Sequence, residues 1–295
     1  MNDLDTLLDV LVIGADSRIG GAVIDRLTNQ GVRVFGTTRR PRDRRREHIH
    51  LDLGEPFDIR SLPPARACLI AAAITSLEAC ENDPRATARI NVDAVARLAD
   101  DLAAQGCFTL LLSTNQVFPG EIAHPRALEP TRPMNAYGKQ KERAERKVLK
   151  LDPHTAVLRL SKVMEARPNL FRGWAERLSR NESVQAFSNM VLAPLPLGFT
   201  VDIICRLLMS RQPGIFQASG DTDIDYHQVA EMLADRLGVS RSLVEATSAS
   251  DAGLDFAAPK HTTLDMSRLH DMFQLSPPSS RSVIEASLDA VVVAN

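Results

Sequence analysis

The sequence predicts an α/β fold built on a doubly wound parallel sheet, and the first half of the chain carries this prediction. There, short apolar runs alternate with longer amphipathic segments. A run that is apolar at every position indicates a strand buried on both faces, as in a parallel sheet covered by helices. Strands that alternate with helices favour right-handed crossovers, and such sheets bind ligands at the carboxyl ends of their strands.

The individual elements follow from these two patterns. The first strand covers residues 10–13 and ends at Gly14. Residues 19–29 repeat apolar side chains at helical spacing, and Gly31 after them is typical of a C′ position. We expect further strands over residues 32–37, 48–51, 67–72, 108–112 and 155–160, with the weakest signal at residues 48–51. We expect further helices over residues 84–105, 136–149, 168–179, 200–210, 226–237 and 280–293.

Composition and charge exclude several classes of protein. With 295 residues, 44% of them apolar and 24% charged, the chain has the profile of a globular protein with one large domain or two. The net charge of −2 gives no overall attraction to nucleic acid or to an anionic membrane. The longest apolar run, residues 67–74, is far shorter than the roughly 20 residues of a membrane-spanning helix. The acidic N-terminus lacks the basic start of a signal peptide, so we expect a cytoplasmic protein.

The cysteines and histidines predict neither disulfides nor a metal site. Cys68, Cys80, Cys107 and Cys205 are widely spaced and form no C-x-x-C pair. This spacing is typical of buried free thiols in a reducing compartment. The seven histidines show no metal-ligand spacing, so we expect no metal.

The turn after the first strand has the spacing of a phosphate-binding loop. Gly14 permits a tight turn, and Gly20 permits the next helix to pack closely on the strand. N–H groups at the start of that helix would face the pyrophosphate of a dinucleotide. Ser17 replaces the middle glycine of the usual pattern, so the loop alone is equally consistent with a structural turn. The residues predicted to hold the cofactor here are Gly14, Asp16, Ser17, Arg18, Ile19 and Gly20.

The end of the second strand predicts which dinucleotide binds. An NAD site places a carboxylate about 20 residues after the loop, where it bonds the ribose 2′-hydroxyl. This chain instead has Arg39 and Arg40, which suit a 2′-phosphate, so we expect NADP(H) in preference to NAD(H). The arginines of residues 44–46 are interpreted as a solvated loop. Asp52 and Leu53 stand where an adenine ring would lie, although Asp52 is equally consistent with a turn or cap.

Three polar residues form a candidate catalytic site. Tyr137 and Lys141 are four positions apart at the start of a predicted helix, so they share one face. A nearby ammonium stabilises a phenolate, and we therefore expect Lys141 to lower the pKa of Tyr137. Thr114 follows the fifth strand, where its hydroxyl can hold a substrate carbonyl oxygen. These three groups together predict a site for hydride transfer.

The loop and the strand ends predict a Rossmann-type domain that binds NADP over residues 1–163. The regular alternation loosens after residue 163, and we expect later segments of about residues 197–230 to return to this domain. Residues 164–295 are expected to form mainly a smaller C-terminal substrate-binding region.

Several segments along almost the whole chain follow a known family pattern. They are GADSRIG at residues 14–20, AAA at 71–73, Asn91, STNQVFPG at 113–120, PMNAYGKQKERAE at 133–145, VLRLS at 157–161 and PKHTTLDMSRL at 259–269. In these segments the chain resembles the extended short-chain dehydrogenase/reductases, and among them the dTDP-4-dehydrorhamnose reductase group. The resemblance implies catalysis by Thr114, Tyr137 and Lys141. It implies a cofactor lining of Ala71, Ala72 and Ala73.

The resemblance also implies a substrate side of the site. It assigns this role to Thr75, Asn115, Gln116 and Val117. Reductases of the family usually have Asp-Tyr in place of Asn115 and Gln116, and related dehydratases have an Asp-Glu pair. Two amides cannot do the acid–base work of water elimination, so dehydration is disfavoured.

Two residues of the second half are further substrate candidates. Lys162 stands where the family often has an aromatic residue, and it either contacts an anionic substrate group or reflects sequence drift. Trp174 either stacks on a base or sugar ring or, as is commoner for tryptophan, belongs to the core.

The function implied by the resemblance is that of an NAD(P)-dependent oxidoreductase which reduces a keto group on a nucleotide-activated deoxysugar. Its partner would be the small-molecule nucleotide sugar, with no nucleic acid or membrane, and a homodimer is the default assembly. One alternative is a non-catalytic NADP-binding subunit like the regulatory subunit of methionine adenosyltransferase. Another is an NADP-dependent sugar-nucleotide epimerase, which needs a further acid or base that the sequence does not reveal.

Overall fold

A seven-stranded sheet flanked by helices forms the centre of the computed structural model, which describes residues 8–40, 48–251 and 258–293. Its strands are β1 (Leu8–Ile13), β2 (Val34–Thr38), β3 (His48–His50), β4 (Ala65–Ile70), β5 (Phe108–Thr114), β6 (Thr155–Leu160), β7 (Val163–Met164), β8 (Val184–Phe187), β9 (Val191–Leu192), β10 (Leu195–Pro196), β11 (Gly214–Ala218), β12 (Ile224–Asp225) and β13 (Val244–Thr247). The central sheet has the order β11-β6-β5-β4-β1-β2-β3, and the short strands pair as β10-β7, β12-β9 and β13-β8.

Helices connect most of these strands. They are α1 (Arg18–Asn29), α2 (Leu77–Asn82), α3 (Pro84–Ala88), α4 (Val95–Ala104), α5 (Ala136–Val148), α6 (Asn169–Leu178), α7 (Leu197–Ser210), α8 (Tyr226–Leu237), α9 (Ser267–Phe273) and α10 (Ser280–Val292), with a π-helical segment at Arg89–Ala94. Among the described residues, no helix has the length and apolar content that crossing a bilayer requires.

The strand order confirms the predicted fold class. β1 pairs in parallel with β2 on one side and with β4 on the other, so Val12 lies between Gly36 and Leu69. The chain leaves the edge at β3 and crosses to β4 on the far side of β1. In a Rossmann-type sheet this reversal opens a crevice at the carboxyl ends of β1 and β4, where a dinucleotide can bind.

The described residues fall into two compact units. The first contains those of segments 1–117, 131–159 and 198–216, and the second contains those of segments 118–130, 160–197 and 217–295. Residues 198–216 of the later chain thus lie in the first unit, and residues 118–130 lie in the second.

Five of the six predicted strands start or end differently from the prediction, and the bounds of β2 and β4 have an identifiable cause. β2 begins at Val34 and not at residue 32, because the Val32 amide closes α1 by donating to the Leu27 carbonyl. β4 covers residues 65–70 and not 67–72, because the amides of Ala71 and Ala72 turn to the Ile13 carbonyl. Ala71 and Ala72 therefore lie at the carboxyl end of β4, beside the crevice.

The helix expected over residues 84–105 is not continuous. It consists of α3, the π-helical segment and α4, which ends at Ala104. The short elements α2, α9 and β11, each of seven residues or fewer, were not predicted.

Each unit has its own apolar core. In the first, residues of the central strands such as Leu11, Cys68 and Leu111 pack with Leu98 of α4 and Ala144 of α5. In the second, α6, α8 and α10 supply most of the buried side chains. The four cysteines are buried free thiols, as predicted. Burial raises the pKa of the Cys107 thiol to about 12 and that of Cys205 to about 11, so both are protonated at neutral pH.

Candidate active site

The loop between β1 and α1 has the geometry of a phosphate cradle. Gly14 has φ +90°, and an added Cβ would lie 2.8 Å from the Ala72 nitrogen, so only glycine fits there. A Cβ at Gly20 would clash with the Gly14 carbonyl. Ser17 is the N-cap of α1: its hydroxyl donates to the Gly14 carbonyl over 2.7 Å and accepts from the Gly20 amide over 3.0 Å. Ser17 therefore stabilises the helix start where the usual pattern has glycine, and the loop fits the diphosphate of a dinucleotide.

Two arginines follow β2 at the carboxyl edge. Arg39 and Arg40 are both exposed, and they occupy the two positions that directly follow the strand. Thr38 Oγ1 accepts from the Arg40 amide over 3.1 Å. The Arg40 Nε lies 3.4 Å from Asp16 Oδ2, which links the strand end to the phosphate loop. The basic residues 44–46 lie outside the described residues.

The segment after β3 is a turn. Asp52 Oδ1 accepts from the Gly54 amide over 2.8 Å, which is the turn role that the sequence left open. Leu53 is buried and belongs to the core of the first unit, so its side chain is engaged in packing.

The segment after β4 is held by Asn91 of the π-helical segment. Its side-chain oxygen accepts from the Ile74 amide over 2.8 Å, and its amide nitrogen donates to the Ile74 carbonyl over 2.9 Å. Ala71, Ala72 and Ala73, which precede Ile74, are half-buried, and Thr75 after it is exposed. The backbone of this predicted cofactor lining is thus fixed at both ends, by Ile13 and by Asn91.

A second polar residue connects Asn91 to α5. Gln140 is buried; its oxygen accepts from Asn91 over 2.8 Å, and its nitrogen donates to the Thr87 hydroxyl over 2.8 Å. Gln140 was not among the predicted site residues, although it stands directly before Lys141. A polar residue on the buried face of an amphipathic helix was the available signal.

Thr114 and the start of α5 are held against the same turn. Thr114 is 7% exposed, and its hydroxyl accepts from the Gln116 amide over 3.2 Å. Asn135 caps α5 by accepting from the Gly138 amide over 2.8 Å, and it donates to Gln116 Oε1 over 2.7 Å. A Cβ at Gly138 would clash with the Gln116 carbonyl. The turn after Thr114 therefore fixes the helix that carries Tyr137 and Lys141.

The same contacts define the predicted substrate residues of this turn. The Gln116 side chain is bound to Asn135. Val117 is fully buried, so packing occupies the side chain that the family resemblance assigned to the substrate. Asn115 is half-buried, and its side-chain oxygen lies 3.4 Å from the Thr114 hydroxyl, which donates to it.

A buried ion pair lies one helical turn beyond Lys141. Glu145 accepts from Arg159 through Nε at 3.1 Å and Nη2 at 2.7 Å, and from the Ser113 hydroxyl over 2.5 Å. The side chains of Glu145 and Arg159 are each 3% exposed. Since Ser113 precedes Thr114, this network ties the strand end to α5. Glu145 and Arg159 lie in segments of the family pattern, but their contact depends on the folded sheet and is not evident from the sequence.

The electrostatics differ from the expectation for the tyrosine–lysine pair. Burial raises the pKa of the Tyr137 phenol above its usual range, with a smaller contribution from Cys80. The Tyr137 pKa is therefore raised and not lowered as predicted, because desolvation is the largest cause of its shift. Burial also lowers the pKa of Lys141 from 10.5 to about 8, and the Glu145 carboxylate partly opposes this shift. At neutral pH the protonated phenol thus accompanies a largely protonated lysine.

The two candidates of the second unit have different environments. Lys162 is exposed. Trp174 is 6% exposed; it stacks on Phe171 with ring centroids 5.7 Å apart and meets Tyr226 edge-on at 6.4 Å. Trp174 is thus a core residue on one side, and on the other it lines an open cavity of about 550 Å³ together with Arg177. Among the described residues, no group of three or more His, Cys, Asp or Glu could hold a metal ion.

The fold is that of the extended short-chain dehydrogenase/reductases, a class of NAD(P)-dependent oxidoreductases to which this chain belongs. Within this class, the chain belongs to the family described as the RmlD substrate binding domain, whose model matches residues 8–293.

Curated relatives match most of the chain. The probable low-salt glycan biosynthesis reductase Agl14 of Haloferax volcanii is 24% identical over 286 residues, 91% of this chain and 93% of the relative. The dTDP-4-dehydrorhamnose reductase of Streptomyces griseus is 27% identical over 272 residues, 88% of this chain and 86% of the relative. Methionine adenosyltransferase 2 subunit beta of Bos taurus is 26% identical over 282 residues, 89% of this chain and 82% of the relative.

Solved structures show the same fold. A dTDP-4-dehydrorhamnose reductase from Bacillus anthracis in complex with NADP has a TM-score of 0.79 at 18% identity, with 98% of this chain and 99% of that chain covered. MoeE5 in complex with UDP-glucuronic acid and NAD has a TM-score of 0.80 at 21% identity, with 97% of this chain and 100% of that chain covered.

Proposed function

We propose that this chain reduces a keto group on a nucleotide-activated deoxysugar with NADPH. The observation that carries the proposal is the fixed arrangement of the turn after Thr114 against the start of α5, which bears Tyr137 and Lys141. A dinucleotide-fitting loop lies in the same compact unit. The reductases named above as relatives support the reaction class.

Each residue has a distinct task in this reaction. The cofactor, when bound, supplies hydride to the carbonyl carbon. Tyr137 donates its phenol proton to the carbonyl oxygen, and its raised pKa keeps that proton in place at neutral pH. The Thr114 hydroxyl holds the same oxygen and stabilises the negative charge that develops on it. Lys141 contributes a buried positive charge and a donor for a ribose hydroxyl of the cofactor.

The proposed preference for NADPH rests on the end of β2. Arg39 and Arg40 offer positive charge and forked N–H donors to a 2′-phosphate. A site selective for NAD would instead place a carboxylate after the strand. The NADP complex of the Bacillus anthracis reductase supports this preference, whereas MoeE5 binds NAD.

The proposed substrate class rests on the family and on the turn after Thr114. The Streptomyces griseus relative is named for dTDP-4-dehydrorhamnose, and MoeE5 binds UDP-glucuronic acid. Asn115 and Gln116 are neutral amides, and Gln116 is already bound to Asn135, so this turn offers no acid–base pair for dehydration. Reduction without prior elimination is the chemistry that these residues allow.

A second candidate function is that of a non-catalytic NADP-binding regulatory subunit. Methionine adenosyltransferase 2 subunit beta matches the chain over nearly its whole length, which favours this alternative. The departure from the family's Asp-Tyr at Asn115 and Gln116 also favours it. Under this alternative, the chain binds the dinucleotide and a protein partner and shows no turnover.

The test compares binding with turnover in Tyr137→Phe. NADPH binding is followed by nicotinamide fluorescence, and turnover with dTDP-4-dehydrorhamnose is followed by loss of NADPH absorbance. We expect the variant to bind NADPH like the wild type and to lose at least a thousandfold in kcat, because the proton donor is gone. Tyr226→Phe is the matched control, since it alters the only other tyrosine of the chain. Retained activity in Tyr137→Phe contradicts the assignment, and NADPH binding without turnover in the wild type favours the regulatory alternative.

A further inference from the structure

The ion pair between the phosphate loop and the end of β2 bears on cofactor selectivity. Asp16 lies in the loop, and Arg40 lies two residues beyond the strand. Their side chains meet at 3.4 Å, Nε to Oδ2. Asp16 is largely shielded at 17% side-chain exposure, whereas Arg40 is 69% exposed. One of the two arginines proposed to bind a 2′-phosphate therefore already has an acidic partner within the protein.

The neighbouring Arg39 has a different electrostatic environment. Within the described part of the chain, the side chain of Arg39 makes no hydrogen bond or ion pair. The backbone that carries both residues is fixed, because Thr38 is buried and accepts from the Arg40 amide. The two arginines are thus adjacent in sequence but not equivalent in charge: Arg39 offers a full positive charge, and Arg40 offers one that Asp16 offsets.

A carboxylate and a guanidinium act in opposite directions on the discrimination between NADP and NAD. The two cofactors differ only at the ribose 2′ position, which this fold recognises beside the end of β2. A carboxylate accepts a hydrogen bond from a 2′-hydroxyl and repels a 2′-phosphate, whereas arginine attracts the phosphate. We infer that Asp16 restrains the selectivity for NADPH over NADH by pairing with Arg40. This inference rests on the dinucleotide site of the proposed function.

Breaking the pair from its two ends distinguishes this role from a structural one. Asp16→Asn removes the carboxylate charge and releases Arg40 to a 2′-phosphate. Arg40→Gln removes the cation and leaves Asp16 unpaired. We expect Asp16→Asn to raise the ratio of NADPH to NADH affinity roughly three- to fivefold, the range for a partly exposed charge pair. We expect Arg40→Gln to lower the ratio by a similar factor.

The experiment measures the dissociation constants of NADPH and NADH for the full chain by nicotinamide fluorescence at low salt. Asp9→Asn is the matched control: Asp9 lies on β1, where it pairs with Arg33 and Arg66 at 3.7 Å each. Loss of the same charge there is expected to leave the ratio unchanged. Asp16→Ala repeats the test with a side chain that forms no hydrogen bond, and circular dichroism verifies that each variant is folded.

The possible results separate this inference from the proposed function. A ratio that rises in Asp16→Asn and falls in Arg40→Gln supports the inference. A ratio that stays constant, or moves in the same direction in both variants, overturns it while the proposed cofactor site stands. If the wild type binds neither NADPH nor NADH, the proposed function fails and the inference fails with it.

Discussion

Replacement of Lys141 by methionine is expected to stabilise the protein while abolishing its turnover. Lys141 is 2% exposed, so its ammonium loses nearly all of its hydration in the folded state. Burial lowers its pKa from 10.5 to about 8, although Glu145 partly compensates. One unit of pKa corresponds to about 1.4 kcal/mol, so the charged lysine costs about 3 kcal/mol at neutral pH. Methionine has a similar length and no charge, and it leaves the pair between Glu145 and Arg159 intact.

The cost of burying the Lys141 charge depends on pH. The unfolded chain holds the Lys141 proton up to about pH 10.5, whereas the folded chain releases it near pH 8. The cost is therefore fully present below pH 8 and disappears as the pH rises from about 8 to 10.5. We expect Lys141→Met to raise the free energy of unfolding by about 2–3 kcal/mol at pH 7. We expect this difference to shrink steadily toward pH 10.5.

Urea unfolding of both proteins at pH 7, 9 and 10.5, followed by circular dichroism, measures this difference. Lys139→Met is the control, because Lys139 lies on the same helix with an exposed side chain. Its effect should stay within about 0.5 kcal/mol at every pH. A Lys141→Met variant that is less stable than the wild type at pH 7, or whose advantage does not change with pH, would refute the reasoning.

Three further substitutions test the network around the site. Glu145→Gln removes the carboxylate charge that faces the buried Arg159 guanidinium, so we expect a loss of about 3–5 kcal/mol in urea unfolding. A loss under about 1 kcal/mol would contradict a stabilising role of this buried pair. Ser17→Ala removes the N-cap of α1; thermal unfolding should show a loss of about 1 kcal/mol that Ser17→Thr largely restores. Gly138→Ala pushes the start of α5 away from Gln116. We therefore expect kcat to fall at least tenfold while the NADPH dissociation constant changes less than threefold. Equal losses in kcat and in NADPH affinity would argue against a positioning role of this contact.

Much of the fold was predictable because its signals are local. The apolar runs within β1, β5 and β6 can be recognised without knowledge of their neighbours, since a strand buried on both faces is mostly apolar. The amphipathic helices α1 and α5 are likewise recognisable from the local spacing of their apolar residues. The returning strand β11 has only five residues, and the π-helical segment keeps nearly the same apolar spacing as an α-helix. Neither carries a periodic signal strong enough to recognise.

In the candidate site, too, some features are visible in short segments of sequence and others depend on the fold. The i, i+4 spacing of Tyr137 and Lys141 and the position of Thr114 at a strand end are properties of short segments. The hydrogen bonds around these residues join distant parts of the sequence. Gln140 reaches Asn91 across 49 positions of sequence, and Glu145 reaches Ser113 across 32. Contacts between residues so far apart depend on how the strands are ordered, which a single sequence does not state.

Residue types and short spacings were enough to predict the family, a dinucleotide-binding loop and three candidate catalytic residues. The electrostatic state of these residues depends on the folded chain. Desolvation raises the pKa of Tyr137 and lowers that of Lys141, because folding removes water from both side chains. The pairing of Arg40 with Asp16 likewise exists only where the end of β2 meets the loop after β1. Charge interactions vary with distance and with exclusion of water, and folding sets both.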